Sequence, residues 1–97
     1  MQKQTKGTKG KRRISFSFLA PRARKVSLVA DFNNWQPGNH PMKKGRHGEW
    51  TRTVFLLPGT YEYKFYVDGA WRADERNSKW RRNKYGTRNS LIEVVSK

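Results

Sequence analysis

The stretch Tyr61–Trp71, YEYKFYVDGAW, decides the fold. Asp68–Gly69 between two apolar runs is the signal of a two-residue hairpin loop of type I′, which needs positive φ at both central residues. With Val67 and Ala70 flanking that loop, Tyr66 stands opposite Trp71. Side chains alternate along a strand, so Tyr61, Tyr63, Phe65 and Val67 share one face while Glu62, Lys64 and Tyr66 share the other. The first set carries no charge and is the core face. Cross-strand partners point the same way, so Trp71 falls on the outer face beside Lys64 and Tyr66.

The same period of two extends outward from this hairpin. Ile14, Phe16 and Phe18 alternate with Ser15 and Ser17, a strand with one buried face that Pro21 and Arg22 end. Val26, Leu28 and Ala30 form a second run, and Asn33–Asn34 marks a turn, because Asn tolerates positive φ. Residues Gln36 to Gly48 hold Pro, Gly and both histidines and read as a loop. Trp50 to Leu57 is a strand stopped by Pro58–Gly59, and Thr60 to Val67 is the strand entering the hairpin. Ala70 to Ala73 is a short partner strand. Residues Asp74 to Tyr85 are polar and basic, without periodicity, and Ser90 to Val95 is the last strand. No segment carries a helical stripe and there is no internal repeat. Short strands separated by turn signals predict an all-β sandwich or barrel.

At 97 residues the chain has room for one domain and a small core. With no cysteine it has neither disulfides nor a thiolate zinc site. His40 and His47 lack a nearby third ligand and read as loop histidines, so no metal and no cofactor is expected. The absence of cysteine fits a reducing compartment. No apolar run approaches the roughly 20 residues that span a bilayer. The basic N-terminus lacks the apolar segment of a secretory signal. Cytoplasmic residence without membrane attachment is therefore the expectation. Residues 1–13 hold six Lys/Arg and no acid. They are expected to be a disordered basic tail, because they cannot bury enough apolar surface to offset ordering. The domain proper is then 14–97. With Met1 at its start and an end just past the last strand, the chain reads as a complete small module.

A glucose ring is polar at its rim and presents C–H groups on its faces. A tryptophan face covers such a patch while nearby amides and a lysine satisfy the hydroxyls. Trp71 beside Lys64 suits that use. The alternative is that Trp71 caps the sandwich or packs under the Asp74–Tyr85 loop, since tryptophans are usually well buried.

Three blocks resemble a known family: VSLVADFNNW (Val26 to Trp35), LPGTYEYKFYVDGAW (Leu57 to Trp71) and YGTRNSLIEV (Tyr85 to Val94). Their order and spacing are those of carbohydrate-binding module family 48. That family includes the glycogen-binding domain of the AMP-activated kinase β subunit and the early-set domain of isoamylases and branching enzymes. The resemblance implies an immunoglobulin-like sandwich that binds α-1,4-linked glucan. It assigns Trp35 and Trp71 as stacking residues, and Lys64 and Asn89 as hydrogen-bonding residues. Tyr85 stands where the kinase subunit has a leucine that reaches through the sugar ring, so its role is altered toward stacking. Phe32 and Trp50 are expected to be structural. Trp80, inside the basic segment Arg76 to Lys84, is expected to pack over the sandwich edge, with a sugar platform or a base-stacking site as alternatives.

Catalysis is not expected. Glycoside hydrolysis uses two carboxylates across a cleft, and the seven acids here are scattered. The barrel that does the chemistry in isoamylase-type relatives takes about 250 residues. The net charge of +15 points in another direction from a neutral sugar, toward polyanions. Two further partner classes follow: nucleic acid through the tail and the 76–84 segment, and a glucan-active enzyme or kinase that the module brings to its polymer.

Overall fold

A computed structural model describes residues 10–96. Eight strands follow in chain order: β1 (Arg12–Leu19), β2 (Val26–Ala30), β3 (Lys43–Lys44), β4 (Glu49–Leu56), β5 (Gly59–Val67), β6 (Ala70–Arg72), β7 (Trp80–Arg82) and β8 (Arg88–Val94). A 3-10 turn, Asp31–Asn33, follows β2. One sheet has the order β1-β4-β3; the other has the order β2-β5-β8-β7, with β6 also paired to β5. The two sheets form the expected all-β, immunoglobulin-like sandwich. Among the described residues no helix is long and apolar enough to cross a membrane.

The hairpin forms in the register that its sequence dictates, with Tyr66 opposite Trp71 and Val67 opposite Ala70. Asp68 and Gly69 adopt φ of 48° and 87°, the positive pair that a type I′ loop demands. The Asp68 carboxylate also accepts the N–H groups of Arg24 and Lys25, which ties the β1–β2 connection to the hairpin tip. Inward side chains of both sheets make the core: Phe16, Trp50, Val54 and Leu56 from one, Val26, Leu28, Tyr63, Phe65 and Val94 from the other. Trp50 is buried and its indole N–H donates to the Ala20 carbonyl, a structural role as expected. Phe32 packs against the core beside Phe16 and Tyr61.

Several boundaries differ from the sequence expectation. β1 begins at Arg12 rather than Ile14, because Arg12 and Arg13 continue the ladder against Leu56 and Phe55 of β4. Residues 1–9 of the expected tail lie outside the described residues. The Gln36–Gly48 segment is more than a loop. Lys43–Lys44 pair with β4, and its chain also runs along the free edge of β2, where Leu28 N–H meets the His40 carbonyl and Met42 N–H meets that of Val26. This covers the edge of β2, whose five residues are all buried. The 74–85 segment contains β7, which pairs with β8 through three residues. Its length is below that at which alternation can be read, and its side chains are mostly cationic.

Candidate glucan-binding groove

β5 and β8 cross the middle of their sheet, and their outer-facing residues form the floor of a groove. From β5 come Glu62 and Lys64, and from β8 comes Asn89. The β5–β6 hairpin adds Trp71, the turn after β2 adds Asp31 and Trp35, and the β7–β8 connection adds Asn83, Lys84, Tyr85 and Thr87. The volume is about 830 Å3, within the range of roughly 300–1,000 Å3 found for small-ligand sites. All five residues singled out from the sequence, Trp35, Lys64, Trp71, Tyr85 and Asn89, line this one groove.

Each is held there by identifiable local physics. Trp71 is 48% exposed, so it does not cap the sandwich; its ring meets Tyr66 edge-on at 4.9 Å. Trp35 has φ of 58° and follows Asn34 with φ of 59°. Two successive residues in the left-handed region are costly, and for a bulky side chain this conformation persists only under outside support. Asn33 supplies it. Its side-chain oxygen accepts the Ala30 N–H, and its amide nitrogen donates to the Leu28 carbonyl and to His40 Nδ1 at 2.9 Å. The backbone donor fixes the amide's orientation, so His40 Nδ1 must be the acceptor and the ring proton lies on Nε2. Burial, and then the charge of Arg52, hold His40 below the ordinary histidine pKa, which agrees with a neutral ring.

Lys64 is only 8% exposed, although it lies on the outer face. Burial lowers its pKa. Its Nζ donates to Thr87 Oγ1 at 2.9 Å, leaving two further N–H groups for a ligand. Asn83 organises the connection above it. Its oxygen accepts the N–H groups of Tyr85 and Thr87, and its nitrogen donates to Thr87 Oγ1 and Asn89 Oδ1. Asn89 in turn donates to Glu62 Oε1 at 2.9 Å, and Glu62 Oε2 pairs with Arg81 at 2.7 Å. Asn89 therefore keeps one N–H and one oxygen lone pair. Tyr85 is 77% exposed at the rim, with the Lys84 ammonium 5.3 Å from its ring centre. Sequence reasoning missed Asn83, Asp31 and Glu62. Asn83 sits in a segment without periodicity, and no pattern distinguishes it from Asn77. Thr87 stood inside the YGTRNSLIEV block without being assigned a role.

The lining charges balance: Asp31 and Glu62 against Lys64 and Lys84. A nearly neutral groove with aromatic walls and a hydrogen-bonded polar floor suits an uncharged polyhydroxy ligand. Among the described residues no cluster of three His, Cys, Asp or Glu could hold a metal ion.

Residues 14–97 match the family model described as the glycogen recognition site of AMP-activated protein kinase. The chain belongs to this family. It is a carbohydrate-binding module of family 48, as the three sequence blocks imply. The module is also similar to 1,4-alpha-glucan branching enzymes. It is 40% identical over 60 residues to that of Oceanobacillus iheyensis, covering 61% of this chain and 9% of the enzyme. It is 41% identical over 63 residues to one from Rhodopseudomonas palustris, covering 62% and 8%. It is 47% identical over 58 residues to that of Pseudomonas putida, covering 58% and 8%. The module thus spans less than a tenth of the length of these relatives.

Proposed function

We propose that this module binds α-1,4-glucan without catalysis, in the groove on the outer face of β5 and β8. The observation that carries the reading is the joint placement of Trp35 and Trp71 on one charge-balanced groove whose floor is Lys64, Thr87, Asn83 and Asn89. In this reading the two indoles cover the apolar faces of successive glucose rings. The free N–H groups of Lys64 and the remaining donor and acceptor of Asn89 meet the hydroxyls. Tyr85 extends the platform at the rim. Asp31 and Glu62 do not act as an acid–base pair, because Asp31 Oδ2 accepts the Glu62 N–H and both Glu62 oxygens are engaged. The module's role is to bring a glucan-active enzyme or a kinase to the polymer in the cytoplasm. The branching-enzyme relatives and the lack of cysteine support this.

Titration with maltoheptaose at 50 and 200 mM salt tests the reading. Docking a neutral sugar releases few counterions, so the affinity stays within about twofold, whereas several phosphate contacts would cost about 10³-fold or more over that range. Collapse of maltoheptaose binding at the higher salt would refute a neutral-glucan groove.

A further inference from the structure

The β7–β8 hairpin has two faces, and only one belongs to the groove. Arg81 and Asn89 are paired across it and meet Glu62 on the groove side. Trp80, Arg82 and Arg88 lie on the other face. There Arg82 stands directly opposite Arg88 in the ladder. Like charges in that position destabilise a strand pair. Neither arginine takes part in an ion pair among the described residues, where the cations that hold a carboxylate are Arg72, Arg76 and Arg81. The Arg88 guanidinium also lies 4.9 Å from the centre of the Trp80 ring, which is 43% exposed. The balanced groove and this uncompensated face are different chemical environments on one short hairpin.

We propose that Trp80, Arg82 and Arg88 form a second binding surface, for single-stranded nucleic acid, separate from the glucan groove. Arg82 and Arg88, paired across the ladder, can each meet a phosphate of the strand with the guanidinium fork that favours arginine over lysine. Trp80 beside them offers a ring on which a base stacks, with Arg88 adding to the π contact. An acidic protein surface would use the arginines and leave the indole without purpose. The broad positive field of the chain, +15 in 97 residues, steers a polyanion toward the face.

The test is fluorescence anisotropy with labelled oligo-dT of about fifteen nucleotides, with heparin fragments as a polyanion that has no bases. Wild-type protein binds oligo-dT, and the affinity falls with salt. The double variant Arg82→Gln/Arg88→Gln loses at least about tenfold in affinity, and the slope of log K against log salt becomes shallower by about 1.4, the value for two phosphate contacts on a single strand. Trp80→Ala loses about tenfold for oligo-dT, with slope and heparin affinity unchanged. Saturating maltoheptaose does not displace the oligonucleotide. Thermal melts and the single variant Arg82→Gln guard against loss of fold. No binding of oligo-dT, wild-type binding by the double variant, equal weakening of heparin and oligo-dT by Trp80→Ala, or displacement by maltoheptaose would each overturn the proposal. The oligo-dT, heparin and variant outcomes do not depend on whether glucan itself is bound.

Discussion

Asn33 and His40 show how one side chain contact sets the aim of another. Asn33 holds the turn that puts Trp35 into a strained backbone conformation, and His40 holds Asn33. Protonating His40 would bring a ring N–H against the Asn33 NH2 group, donor against donor. The sign of the pH effect follows. His40 has a lowered pKa in the folded protein and an ordinary one near 6.5 when unfolded. Between the two values the unfolded chain binds more protons, so stability rises with pH through that window and falls on acidification below 6.5. Glu49, held low by the Arg76 and Ser17 hydrogen bonds, contributes stability that is lost only at more acid pH, below the ordinary carboxylate value. Melting temperature measured between pH 7 and pH 5 is therefore expected to fall in the wild type. In His40→Gln that dependence should flatten, because a Gln cannot acquire the charge. An unchanged pH profile in the variant would rule out the Asn33–His40 contact as its source. The Asn33–Asn34 turn was legible in the sequence. Its dependence on a histidine seven residues later was not, because His40 carries no local pattern that separates it from exposed His47.

The strands were legible in proportion to their alternation. The loop and register of the β5–β6 hairpin could be placed to the residue, since a charge-free face, an Asp–Gly loop and an outward tryptophan all agree on one register. β3 and β7 were not legible. They have two and three residues and are built of lysine, arginine and one tryptophan, and only their neighbours make them strands. β7 illustrates the physical cost: it pairs with β8 although Arg82 faces Arg88. If that pair is a burden on the free protein, Arg82→Thr removes a repulsion and adds a good strand former at an exposed position. The melting temperature should then stay level or rise by about 1–3 °C, corresponding to a few tenths of a kcal/mol in a domain of this size. A fall of several degrees would mean that Arg82, through its 3.3 Å contact with the Gly86 carbonyl, supports the turn more than it strains the ladder.

On the scale of the whole molecule, charge and shape separate two surfaces. Cations crowd the loops and the back of the β7–β8 hairpin, while the groove balances its own charge. The aromatic residues follow the same division. Trp50 and Phe32 serve the core, Trp35 and Trp71 line the groove, and Trp80 stands on the edge strand. The sequence carried Trp35, Lys64, Trp71, Tyr85 and Asn89 because three separated blocks each hold part of the groove. It did not carry the network among Asn83, Thr87, Asn89 and Glu62, which forms only when β8 is brought beside β5. The central claim, that Trp35 and Trp71 hold an α-glucan, is tested most directly by titrating maltoheptaose into wild type, Trp35→Ala and Trp71→Ala alongside thermal melts. Both variants are expected to lose about tenfold or more in affinity, as for removal of a stacking platform of about 1–3 kcal/mol, and Trp71→Ala, whose indole is half exposed, should melt close to wild type. Wild-type affinity in both variants would contradict the account.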